Sequence, residues 1–164
     1  MKKTFIVILV ALLLTMSLAG CGKSVAEGLA EGLIKKATGA DVNVSGDGVT
    51  VKGQDGSSAS LGGDLKWPSD KMGDLPELKG NVTATYSQGA KAMVVTMDKV
   101  TKDDATAYVQ KLKDMGYESS GETNTENGTF TFTGKKGSYS VTVWYVVDDN
   151  GSATCMITLS QEDQ

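Results

Sequence analysis

Between residues 41 and 160 the chain repeats one pattern: short runs with an apolar side chain at every second position, closed by turns rich in glycine. Alternation of period two puts every second side chain on one face of an extended strand, and glycine supplies the positive φ that a tight reversal needs. Val42 and Val44 precede Gly46-Asp47-Gly48; Val49 and Val51 precede Gly53-Gln54-Asp55-Gly56; Ser57 to Leu61 follows. Further on, Val82, Ala84 and Tyr86 alternate before Gln88-Gly89, and Met93, Val95 and Met97 alternate after it. Tyr117 to Thr123 reads as a strand, and Asn127-Gly128 turns the chain into Phe130 and Phe132. Asp148-Asp149-Asn150-Gly151 separates a long strand, Ser138 to Val147, from a last one, Ala153 to Ser160. Glycine, at 20 of 164 residues, suits this density of turns. Turns this short join antiparallel neighbours.

Two segments interrupt the alternation. From Thr101, Asp103 and Asp104 fall in a first helical turn and Lys111 and Lys113 near the end, each complementing the helix dipole. Ala105, Tyr108, Val109, Leu112 and Met115 form the apolar stripe of that helix, and Gly116 stops it. Residues 65–80 hold both prolines, in Trp67-Pro68 and Leu75-Pro76, and proline disfavours helix at the residue before it. That segment is an extended connection whose Leu65, Trp67, Met72, Leu75 and Leu78 pin it to the body. The expected class is α+β: residues 81–164 form an antiparallel sheet with one packed helix, in the order ββαββββ. A short helix and a small β-meander at 41–64 precede it.

The N-terminus has a different grammar. Lys2 and Lys3 are followed by an apolar run from Phe5 to Met16, then by Leu18-Ala19-Gly20-Cys21. This is the plan of a secretory signal, and the run is short for a membrane span of about 20 residues. The last four residues resemble the bacterial lipobox, whose cysteine thiol takes a diacylglyceryl group before the chain is cut in front of it. The expectation is a signal peptide at 1–20 and a lipidated Cys21, carrying fatty chains of the palmitate type. Residues 21–40 then hold a membrane-proximal helix. In it Ser24 to Glu27 fits a capping box, and Val25, Ala26, Leu29, Ala30, Leu33, Ile34 and Ala37 share one half of the wheel. That half either lies on lipid or docks back on the domain. With Cys21 acylated, Cys155 is left without a partner.

Composition narrows the chemistry. All 16 basic residues are lysines and there is no histidine, so no Ser-His-Asp system, imidazole zinc ligand or guanidinium clamp is available. A net charge of −4 argues against nucleic acid, which requires a basic face. Neither a cofactor motif nor a metal-ligand spacing occurs, and the Asp-Gly turns lack the acidic ladder of a calcium loop. The paired carboxylates, Asp148 with Asp149 and Asp103 with Asp104, are explained by a turn and a helix start.

A candidate contact surface emerges from the last two strands. Trp144, Val146 and Met156 fall on the face opposite Tyr145, Cys155 and Ile157, and a sheet with one helix leaves that face in need of a cover. The Trp67 connection or the meander is the expected cover, and an envelope protein or an apolar ligand the alternative, with Trp67 a fourth candidate binding residue. The lipobox, the valine-rich turns after Ala37-Thr38-Gly39, the Trp67-Pro68 to Leu75-Pro76 connection and the helix ending Tyr108 to Tyr117 together resemble a group of small uncharacterised lipoproteins found mostly in Gram-positive bacteria. The resemblance implies no activity and no catalytic residue. The expected function is a non-catalytic, lipid-anchored binding or structural module on the extracytoplasmic face of the cell membrane. A carboxylate-dependent cell-wall glycan hydrolase is the alternative.

Overall fold

A computed structural model describes residues 39–45 and 47–162. Cys21, the signal segment and residues 24–38 of the expected first helix lie outside the described residues. The elements are β1 (Asp41–Ser45), β2 (Gly48–Lys52), β3 (Ser57–Gly62), β4 (Asn81–Gln88), β5 (Ala92–Asp98), α1 (Lys102–Asp114), β6 (Glu118–Asn124), β7 (Phe130–Lys136), β8 (Tyr139–Val147) and β9 (Ala153–Gln161). All nine strands join one sheet in the order β1-β2-β3-β4-β5-β9-β8-β7-β6. Every neighbouring pair is antiparallel.

Of the described residues 51% are strand and 11% helix, so the fold is predominantly β, which corrects the α+β expectation. The strands of the meander continue the main sheet, because β3 pairs with β4 from Ser57 opposite Gln88 to Leu61 opposite Ala84. Alternation tells which side chains share a face, but not which strands share an edge. Left apart, β3 and β4 would each expose a row of unpaired N–H and C=O groups; pairing removes both edges.

Register also assigns each side chain to a face. One face carries Met93, Val95 and Met97 of β5, Cys155, Ile157 and Leu159 of β9, Val141, Val143 and Tyr145 of β8, and Phe130 and Phe132 of β7. All are buried. Helix α1 lays Ala105, Tyr108, Val109 and Leu112 over the β7–β8 end of this face. Trp67, Met72, Leu75 and Leu78 of the connection belong to the same core. The expected cover of the Trp144 face is therefore corrected as well: the connection packs on the same side as α1. The reason is area. Helix α1 lies over β7 and β8, with Tyr108 near Cys155 of β9, and the connection covers apolar surface that α1 does not, with Gly73 against Leu159.

Local chemistry explains the ends of α1. Thr101 is the N-cap, its hydroxyl oxygen accepting from the Asp104 amide at 3.1 Å. At the other end the Gly116 amide donates to Lys113 and the Tyr117 amide to Leu112, with Gly116 at φ +90. These are the paired bonds of a Schellman stop. The edge strand β6 is exposed throughout, polar, and irregular between Ser119 and Gly121, features that discourage edge-to-edge association.

Candidate functional site

A groove of about 560 Å³ opens where the connection leaves β3 and rejoins β4. Gly62 to Trp67 form one wall, Glu77 and Gly80 to Thr83 another, and Asp98 at the end of β5 completes it. Its volume falls in the usual range for small-ligand sites, about 300–1,000 Å³.

Each wall has a local cause. The turn after Trp67-Pro68 is closed by the Lys71 and Met72 amides donating to Pro68, which fixes the indole in the core. In β4 the register shifts between Val82 and Ala84, so Thr83 is a bulge residue, and its hydroxyl donates to the Thr96 carbonyl at 3.2 Å. Bulges re-aim side chains and are common beside binding sites. Gly80 passes so close to β5 that a Cβ there would lie 2.9 Å from the Asp98 carbonyl and 2.7 Å from Val100. Only glycine allows that approach.

Electrostatically the lining is acidic, with Asp64, Glu77 and Asp98 against Lys66. Among the described residues three buried side-chain polar atoms lack a hydrogen-bond partner: Trp67 Nε1, Asp98 Oδ1 and Tyr108 Oη. Two of the three belong to residues of this groove. Leaving such a group unmade costs about 1–3 kcal/mol, so native structures keep few of them. Two residues that line one groove, on two different elements, thus carry a donor and an acceptor without protein partners. Tyr108 is on the buried face of α1, outside the groove lining, and burial pushes its phenol pKa up.

The sequence-derived candidates divide between two places. Trp144 and Met156 are opposite each other on β8 and β9, and Val146 follows on the same face. Trp144 is 45% exposed, with Met156 and Val146 half-buried. Trp67 is on the other side of the sheet, in the core and in the groove. Cys21 lies outside the described residues. Asp148 and Asp149 are exposed at the β8–β9 turn, where Asp148 Oδ1 accepts from the Asn150 and Ser152 amides at 2.9 and 2.7 Å. Sequence reading missed Asp64, Glu77, Asn81, Thr83 and Asp98 as a group. They are spread over 35 positions with no recurring spacing, and the only flags were Gly62-Gly63 and Gly80. Among the described residues no three His, Cys, Asp or Glu side chains gather as a metal site.

Comparison with protein-family models, with curated proteins and with solved structures finds no match to this chain.

Proposed function

We propose that this chain is a lipid-anchored, extracytoplasmic module that binds a glycan of the cell envelope in the Trp67–Asp98 groove without transforming it. The anchor and the compartment rest on the Lys2-Lys3, apolar-run and Leu18-Ala19-Gly20-Cys21 pattern. The observation that carries the binding reading is that two residues lining one groove, Trp67 and Asp98, each keep a polar atom without a protein partner. Three carboxylates, the Asn81 amide and the Thr83 hydroxyl favour a ligand rich in hydroxyl donors, while Lys66, Asn81 and Trp67 offer donors in return.

Calorimetric titration of the detergent-solubilised lipoprotein with short peptidoglycan glycan strands tests it. Binding is expected, weakened at least tenfold by Asp98→Asn and by Trp67→Phe, which removes the indole N–H. Undiminished binding in both variants, or none by the wild type, overturns the groove assignment.

The same three carboxylates give the hydrolase reading a place it lacked at Asp148 and Asp149. Release of reducing ends from those strands, abolished by Asp98→Asn or Glu77→Gln, would replace the binding reading with that one.

A further inference from the structure

The first three strands are apolar on the side away from α1. Register puts Val42 and Val44 of β1, Val49 and Val51 of β2, and Ala59 and Leu61 of β3 on one face, continued by Ala84 and Tyr86 of β4. Toward the α1 side the same strands present Asn43, Thr50, Lys52, Ser58 and Ser60, with Thr50 and Ser60 hydroxyls 3.0 Å apart. The sheet thus changes its apolar side along its width, and the core under α1 and the connection serves only the later strands. Even so, Val51 is 5% exposed and Ala40 7%, and neither belongs to that core. Something outside it covers them.

We propose that the occupant is this chain's own residues 24–37, folded as an amphipathic helix across the outer face of β1–β3. Where the chain enters the sheet supports this choice. Gly39, at φ +70, has the left-handed backbone that ends helices, and its carbonyl accepts from Gln54 Nε2 at 3.2 Å. Ala40 is buried one residue before β1, whose Asp41 pairs with Lys52 beside Val51. The preceding segment is therefore delivered at the rim of the face that needs a cover. Its apolar half, Val25, Ala26, Leu29, Ala30, Leu33, Ile34 and Ala37, is of the right kind. Fourteen helical residues span about 21 Å. At about 4.8 Å per strand, β1 to β4 is about 14 Å and β1 to β8 about 29 Å. A helix starting at β1 covers the valine face and stops short of Trp144. If Cys21 is lipidated, as the proposed function holds, the helix starts three residues from the lipid, and docking holds the sheet against the bilayer without a slack tether.

A double-mutant cycle on the intact, detergent-solubilised lipoprotein tests the docking, independently of any glycan binding. Leu33→Ala and Val49→Ala are each expected to lower Tm by a few degrees, and together by clearly less than the sum. Additive shifts, or no shift with Leu33→Ala, overturn the proposal. Sedimentation of the wild type and of Val49→Glu is the second arm. A monomer in both is expected; a wild-type dimer that Val49→Glu dissociates would give the face to a second copy instead. Should Val49→Glu fail to fold, sedimentation of Val49→Ala serves in its place.

Discussion

Cys155 lies fully buried in β9, opposite Met97 on one neighbour and Tyr145 on the other. Burial pushes its thiol pKa up to about 12, so almost no thiolate exists at neutral pH. The folded protein is expected to resist iodoacetamide at pH 8 and to take up one equivalent at Cys155 when denatured; rapid native labelling would contradict the burial. Asp74 behaves in the opposite way. Lys136 Nζ, 2.6 Å from Oδ2, holds its carboxyl below the usual carboxylate value, assisted by the Tyr117 hydroxyl donating to Oδ1 at 2.9 Å. The depressed value means its contribution is complete above the unfolded pKa of about 3.9 and is lost as pH falls through the folded one. Because the pair is solvent-exposed, Asp74→Asn should cost no more than about 1 kcal/mol near neutrality. The Tm gap to wild type should hold from pH 7 to about 5 and close below pH 4. A gap that widened on acidification would refute that assignment. The burial of Cys155 was legible, since it alternates with Ile157 and Leu159. The tie of Asp74 was not, because its partners are 43 and 62 residues away.

Turn and cap chemistry belongs to the scale of single elements and is local, which is why it could be read in advance. Thr101 at the helix start, Gly116 at its stop and Asn127-Gly128 between β6 and β7 act through neighbours within a few positions. The Asp148 turn allows a quantitative check. Its Oδ1 accepts two backbone amides, an office that the Asn side-chain oxygen can also fill and Ala cannot. Asp148→Asn is expected within about 0.5 kcal/mol of wild type, whereas Asp148→Ala should lose about 1 kcal/mol by urea denaturation. Equal losses in the two variants would show that the negative charge, not the acceptor, matters. Strand pairing is the part local chemistry does not encode. In β3 the run Ser57-Ser58-Ala59-Ser60-Leu61 has few large side chains, and nothing in it announces β4 as its neighbour across the long connection. The groove inherits this illegibility, since it exists only because β3, β4 and β5 lie side by side.

At the scale of the whole molecule, the sheet is a wall with different tenants on its two sides. Helix α1 and the connection fill one side over β4, β5, β9, β8 and β7, and the outer valines of β1–β3 fall on the other. Under the proposed function Cys21 carries a lipid anchor that would orient this wall, and Cys21→Ala is expected to leave an unprocessed precursor that takes up no radiolabelled palmitate; normal labelling would remove the anchor from the account. Trp144 stands on the outer side at β8, beyond the reach of the proposed helix cover. Its neighbours in register are Thr131 and Met156, and Thr133 and Thr142 share a hydroxyl contact of 3.3 Å on the same face. An indole that is 45% exposed buries only about half of its surface, so Trp144→Ala should cost about 2 kcal/mol or less, below the loss at a fully buried tryptophan. Ile157→Ala, at a fully buried position on the opposite side of β9, should cost about 2–5 kcal/mol. The two tryptophans offer an internal control, because Trp67 is buried. Acrylamide should quench the wild type in two components, of which Trp144→Ala removes the accessible one and Trp67→Phe the protected one. If Trp144→Ala instead costs as much as Ile157→Ala and leaves the accessible component in place, Trp144 is buried in solution, and the outer face is covered as far as β8.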